Sequence, residues 1–188
     1  MNRIEGRRRG AWRGPLLGLL IAALVLSRCG EPADRRDDGG IAEEAGELTA
    51  RVAEVTDGDT IEVELPDGSR EDVRYIGIDT PETAKPGTPV ECGGPKASAV
   101  NRRLVGEGEV TLRFDAERRD DYGRLLAYVF APPRAPGRRP LFVNAELVRR
   151  GLARPLRIEP NDSRAALFER LALRAARLGR GLWGVCTL

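Results

Sequence analysis

The sequence predicts a mainly β, α+β domain: a five-stranded barrel of the OB-fold type with about three helices. Three observations predict it. Short runs of alternating apolar and polar residues recur from Leu48 onward, separated by turn residues. One helical stretch falls between the third and fourth strands, and two more follow the fifth. Five short strands with edges to cover are best closed into a small barrel.

The elements follow in order. Thr49 to Thr56 places Val52 and Val55 among polar residues. Thr60 to Leu65 sets Ile61, Val63 and Leu65 against Thr60, Glu62 and Glu64, the pattern of a half-buried strand. Pro66-Asp67-Gly68-Ser69 is a hairpin turn, and Val73 to Ile78 is the next strand. Asp79 to Gly94 reads as loop, with Pro81, Pro86 and Pro89. Pro95 opens a helix that runs to about Val105 before Gly106. Glu109 to Phe114 and Leu125 to Ala131 are two further strands. Asn144 caps a helix ending at Gly151. Ser163 starts a longer one, with Leu167, Leu171, Ala175 and Leu178 along one face and Gly179 and Gly181 at its end.

The chain has 188 residues and a net charge of +2, but the charge is distributed in blocks. Residues 1–28 carry +5, residues 29–47 carry −5, and residues 48–188 carry +2. In the first block Arg3, Arg7, Arg8, Arg9 and Arg13 precede an apolar run from Gly14 to Leu26. This is the pattern of an export signal. As a helix the run spans about 20 Å, short of a hydrocarbon core of roughly 30 Å. Leu26-Ser27-Arg28-Cys29-Gly30 resembles a lipoprotein processing site, yet Arg28 stands where a small residue belongs. Two readings stay open: a lipidated Cys29, or an ordinary or uncleaved signal. Residues 29–47 read as an acidic disordered tether and 48–188 as the folded domain. Location is therefore expected to be extracellular or tethered to the cell surface, with membrane contact only through the N-terminal segment.

Histidine is absent, which excludes a Ser-His-Asp triad, a His-ligated zinc site and a His general base. Of 31 basic residues all but Lys85 and Lys96 are arginine. Cys92 and Cys186 are a disulfide candidate in an oxidising compartment, or else two thiols.

Two acidic clusters lie at strand ends. Asp57-Gly58-Asp59-Thr60 opens the second strand, and Asp79-Thr80-Pro81-Glu82 closes the third. If these strands form a hairpin, start faces end and up to four carboxylates converge with the Thr80 carbonyl. All-oxygen donors without His or Cys favour a hard ion, Ca²⁺ or Mg²⁺. Arg74 precedes Asp79 by five residues, and the turn Asp120-Asp121-Tyr122-Gly123 delivers Arg124 to the last long strand. Arginine forks beside a hard cation suit phosphoryl chemistry.

At these residues the chain resembles the staphylococcal nuclease (thermonuclease)-like family. Matching stretches run in family order: Val55 to Thr60, Arg74 to Glu82, Asp121 to Val129, Val143 to Val148, Gly151 to Ala153, and Gly181 to Trp183. The resemblance implies an OB-type barrel with three helices and Ca²⁺-dependent hydrolysis of phosphodiester bonds in DNA or RNA, by a monomer. It implies Asp59 and Asp79 as Ca²⁺ ligands, Thr80 as a backbone-carbonyl ligand, and Asp57 as an acid behind them. Glu82 resembles the carboxylate that orients the attacking water. Arg74 and Arg124 resemble the pair that holds the scissile phosphate, and Tyr122 a substrate contact. Cysteines like Cys92 and Cys186 occur in exported relatives. Departures are Asp121, where the staphylococcal enzyme has lysine, and Arg154 to Pro160, where its tyrosines are missing. Arg154 and Arg157 are candidates to compensate. A binding module that keeps the barrel but has lost turnover is the second reading; the filled catalytic positions favour the enzyme.

Overall fold

The computed structural model describes residues 46–83, 87 and 89–186. The export segment, the tether before Gly46, Cys29 and Pro86 lie outside the described residues.

Among the described residues, eight strands and four helices follow in the order β1(Glu47–Asp57), β2(Thr60–Glu64), β3(Arg70–Tyr75), β4(Ile78–Asp79), α1(Gly94–Val105), β5(Glu109–Arg113), β6(Leu125–Ala131), β7(Leu141–Phe142), α2(Val143–Arg149), β8(Arg154–Pro155), α3(Ala165–Arg177) and α4(Leu182–Val185). The sheet order is β3-β2-β1-β5-β6-β7, and a further pairing of β3 with β6 closes five strands into a barrel. That closing pair is parallel, with Val73 opposite Leu125 and Arg74 opposite Leu126, whereas the other barrel pairs are antiparallel. The fold is the expected five-stranded OB-type barrel with three helices; α4 is an added single turn.

The alternation that predicted the strands is the alternation that fills the barrel. Ile61, Val63, Val73, Tyr75, Val110, Leu112, Ala127 and Val129 are all buried. Burial of such side chains stabilises by about 1.5–3 kcal/mol each for the larger ones. α1 covers one part of the barrel with Ala97, Val100 and Leu104, and α2 another with Val143, Leu147 and Val148.

Three local expectations differ from the structure. The run Val73 to Ile78 is not one strand: Gly77 takes φ +77°, and a Cβ there would meet the Phe168 ring at 2.5 Å, so the chain turns and β4 pairs with β8 instead. Asn144 does not cap α2, whose N-cap is Phe142. Its side chain is buried and used in tertiary contacts: Oδ1 accepts from the Val129 N–H at 2.9 Å and Nδ2 donates to the Ile76 carbonyl at 3.0 Å. Ser163 stands two residues before α3, close to where the helix was expected to start; its N–H donates to Asp115, and its hydroxyl lies 3.3 Å from that of Tyr128. Finally, α3 keeps the expected face at Leu167, Leu171 and Ala175, which pack inward, but not at the last residue of that face. It buries Phe168, Ala172 and Ala175, while Leu178 is exposed.

Cys92 and Cys186 form a disulfide across a sequence separation of 94. It ties the loop after Glu82 to the end of α4.

Candidate active site

The hairpin of β2 and β3 brings the two acidic clusters together, because Thr60 pairs with Arg74. The turn Asp57-Gly58-Asp59 therefore lies against Asp79 and Thr80. Gly58 is required by close approach: a Cβ would stand 2.6 Å from Thr80 Oγ1 and 2.9 Å from Ala97 Cβ. Asn101 on α1 supports the turn from below, donating to the Asp57 carbonyl at 3.1 Å while accepting from the Tyr75 hydroxyl at 3.0 Å. Burial holds the Tyr75 hydroxyl far above its usual pKa, so it stays a donor.

Asp59 is buried, and its Oδ2 accepts from the Thr80 N–H at 2.7 Å. Burial raises its pKa, and Arg74 and the Thr80 hydrogen bond offset only part of that rise. Arg74 bridges the two proposed ligand carboxylates: Nη1 lies 2.7 Å from Asp59 Oδ2, and Nη2 3.0 Å from Asp79 Oδ1. The guanidinium thus supplies positive charge between two acids.

Asp57 faces elsewhere. Its Oδ1 accepts from the Gly58 N–H and from Thr83 Oγ1, both at 2.7 Å. Among the described residues no three His, Cys, Asp or Glu side chains converge as metal ligands. The expected convergence of four carboxylates is therefore narrower, since the Asp57 carboxylate is engaged with the Thr83 loop. Even so, Asp57, Asp59, Asp79, Glu82, Arg74, Tyr122 and Arg124 line one open cleft of about 680 Å³. Glu82 is fixed through its backbone: its N–H donates to Glu91 Oε2 at 3.2 Å and its carbonyl accepts from the Glu91 N–H at 3.0 Å.

Arg124 reaches this cleft by the parallel pairing of β6 with β3. Asp120 sets its direction, accepting from the Arg124 N–H at 2.9 Å and from Nε at 2.8 Å, with Nη2 at 2.7 Å. The Asp120 carboxylate also accepts from the Tyr122 N–H at 3.0 Å. Tyr122 is 85% exposed, with the Arg124 guanidinium 5.5 Å from its ring centre. Sequence reading treated Asp120 only as part of the turn, although an aspartate opening such a turn is the signal for a side chain that bonds two residues on. Thr83, Glu91 and Asn101 were missed for want of any local pattern. Of the two arginines expected to compensate, Arg157 is engaged with Asp162 at 2.5 Å and Glu159 at 3.2 Å. Arg154 pairs by backbone register with Asp79.

A second hollow of about 310 Å³ adjoins the cleft through Arg74, Tyr122 and Arg124. Gly77, Ile78, Leu156 and Ile158 give it an apolar wall, and Glu117, Asp121 and Glu159 make its rim acidic.

The arrangement offers a paired acidic oxygen set, two directed guanidinium groups and a carboxylate on a clamped loop. Comparisons with known proteins agree in kind. The family model described as staphylococcal nuclease homologue matches residues 72–185, starting within β3. Thermonuclease of Staphylococcus hyicus is 39% identical over 139 residues, 74% of this chain and 78% of that protein. Thermonuclease of Staphylococcus intermedius is 39% identical over 132 residues, 70% of this chain and 74% of that protein. Endonuclease YncB of Bacillus subtilis is 45% identical over 107 residues, 56% of this chain and 47% of that protein. With its closed barrel, three helices and this breadth of identity, the chain belongs to the staphylococcal nuclease homologue family.

Proposed function

We propose that the protein is an exported, Ca²⁺-dependent nuclease that hydrolyses phosphodiester bonds in DNA, RNA or both. The observation that carries the reading is the cleft where Asp59 and Asp79 stand beside Arg74, Arg124 and Glu82. Relatives named thermonuclease and endonuclease support the same chemistry.

The donor set fits a hard divalent ion. Asp59 and Asp79 already share one positive group, Arg74, and every nearby donor is oxygen. Asp59, Asp79 and the Thr80 carbonyl would hold the ion, which when bound supplies Lewis-acid polarisation of a phosphate oxygen. The remaining steps belong to the chain. Arg124, aimed by Asp120, binds a phosphate oxygen and stabilises charge that grows on it. Arg74, which bridges the acids and also lines the cleft, does the same from the other strand. Glu82 orients a water for attack and accepts its proton. Tyr122, exposed at the mouth, packs against the incoming chain.

Export, an extracellular or surface-tethered location and action as a monomer complete the proposal. Export and location rest on residues 1–47, where the Arg-rich start, the apolar run and Cys29 occur. Among the described residues no helix is long and apolar enough to cross a membrane.

The test is release of acid-soluble nucleotides from single-stranded DNA and from RNA, with Ca²⁺ or with chelator. Glu82→Gln and Arg124→Ala should each lower kcat by at least about 100-fold. If both variants and the wild type share one background rate, the enzyme reading fails. Retained nucleotide binding would then leave the binding-module alternative.

A further inference from the structure

The outward side of α3 is unlike its buried side. Phe168, Ala172 and Ala175 pack inward. Arg170, Arg174 and Arg177 recur at i, i+4 and i+7 and are all exposed, which places them in one stripe. Among the described residues no acidic partner engages these three side chains; the ion pairs involve other arginines. Large apolar side chains flank the stripe in the open. Leu173 is 64% exposed on one side and Leu178 55% on the other, and Val185 on α4 is 70% exposed. Beyond Leu173 a largely apolar groove of about 400 Å³ runs between Ala172, Ala176, Pro155 and Trp183, with Glu169 also in its lining. No α3 residue lines the catalytic cleft or its adjoining hollow. The site as described therefore makes no use of this charge.

We propose that this face of α3 docks the domain onto an anionic lipid surface. Two features select lipid over nucleic acid. First, the large exposed side chains flanking the arginines are Leu173 and Leu178, which gain by shallow burial at the boundary between headgroups and acyl chains. A face for single-stranded nucleic acid would carry stacking aromatics along the stripe itself, whereas Trp183 lies in the adjoining groove with the Arg154 guanidinium 5.9 Å from its ring centre. Second, arginine stems can lie along that apolar layer while their guanidinium groups stay at the phosphate level. Each cation near an anionic leaflet contributes about five-fold in partitioning, so three contribute on the order of 100-fold. The proposal does not depend on catalysis.

The experiment is co-sedimentation of the full chain with phosphatidylcholine vesicles, with and without phosphatidylglycerol. Neutral vesicles measure whatever the apolar run at residues 14–26 contributes. The wild type should partition more strongly to the anionic vesicles, and salt should reverse the difference. Combining Arg170→Gln, Arg174→Gln and Arg177→Gln should remove on the order of 100-fold of that partitioning, with the thermal midpoint unchanged because the side chains are exposed. If the triple variant fails to fold, the single variants should each lose about five-fold. Leu173→Ser should lose a few-fold. Equal wild-type binding to both vesicle types overturns the proposal, as does full retention by the arginine variants. Oligonucleotide anisotropy covers the competing occupant. If the arginine variants lose oligonucleotide affinity while vesicle partitioning is untouched, the face binds nucleic acid and the proposal falls.

Discussion

Arg74 fills the place between the two carboxylates proposed to hold the cation, so it should compete with that cation. Arg74→Gln tests this. Its side chain is 16% exposed and that of Asp59 8%, so the Arg74–Asp59 contact at 2.7 Å is largely shielded from water. Removing one partner of a buried pair costs about 3–5 kcal/mol. The Asp79 side chain is 57% exposed, so its pairing is screened and adds little. Without divalent ions the variant should therefore lose about 3 kcal/mol, at the lower end of the buried-pair range. With Ca²⁺ the order should change. Wild type must give up part of its Arg74 pairing to admit the ion, whereas the variant presents two unpaired acids. If ~1–3 kcal/mol of pairing is at stake, the variant should bind Ca²⁺ roughly five- to 150-fold more tightly. Thermal melts in chelator and across a Ca²⁺ titration read both effects, and isothermal calorimetry gives the affinity directly. A Ca²⁺-induced gain in Tm equal to or smaller than that of wild type would refute the competition. Activity is a separate matter, and should fall because Arg74 also faces the phosphate.

Three further outcomes are expected. Replacing Cys92 and Cys186 by Ser should cost about 4–5 kcal/mol by the loop-entropy account, since 94 positions separate them; an unmoved urea midpoint in the oxidised protein and the variant would contradict it. Asn144→Leu leaves the Val129 N–H and the Ile76 carbonyl unpaired inside, a loss of about 2–5 kcal/mol that should shift the urea midpoint without changing the slope. Glu146 has a lowered pKa: burial acts to raise it, and hydrogen bonds and charge from Arg149 and Arg150 outweigh that. Its folded value lies below the unfolded one, so its stabilisation is present above about pH 4.5 and is lost as pH falls through the folded value. Glu146→Gln should therefore destabilise at pH 7 and flatten the acid limb of the stability curve; parallel acid limbs would be the contrary result.

The barrel was legible because each long strand alternates against one buried face. The hairpin that joins the acidic clusters could be read from Pro66-Asp67-Gly68-Ser69 and the lengths of the flanking strands. What escaped has physical causes. β7, β8 and α4 have two to four residues, too few for any period to show. Asn144 and Ser163 carry the chemistry of helix caps, but their partners lie on β6, in the turn before β4 and at Asp115, which no local pattern reveals. On α3 the inward face was read at Leu167, Leu171 and Ala175, but Phe168 and Ala172 at its centre were passed over because leucines were weighed above other residues. At the site, the residue types and strand ends were visible in advance. The bridging of Asp59 and Asp79 by Arg74, the turning of Asp57 toward Thr83, and the aiming of Arg124 by Asp120 depend on side-chain partners that only the folded chain supplies.

The parallel joint between β3 and β6 sets the spacing of the two guanidinium groups. Arg74 sits within the joint and Arg124 one residue before it, so their separation is fixed by strand register and not by the 49 residues between them. Length changes in the intervening loops should leave the pair in place. A slip of β6 by a single residue would not, since it turns every side chain on that strand to the opposite face. Leu125, Ala127 and Val129 would leave the core and Arg124 would leave the cleft together. Turnover by this chain therefore doubles as a gauge of whether the barrel has closed in the correct alignment.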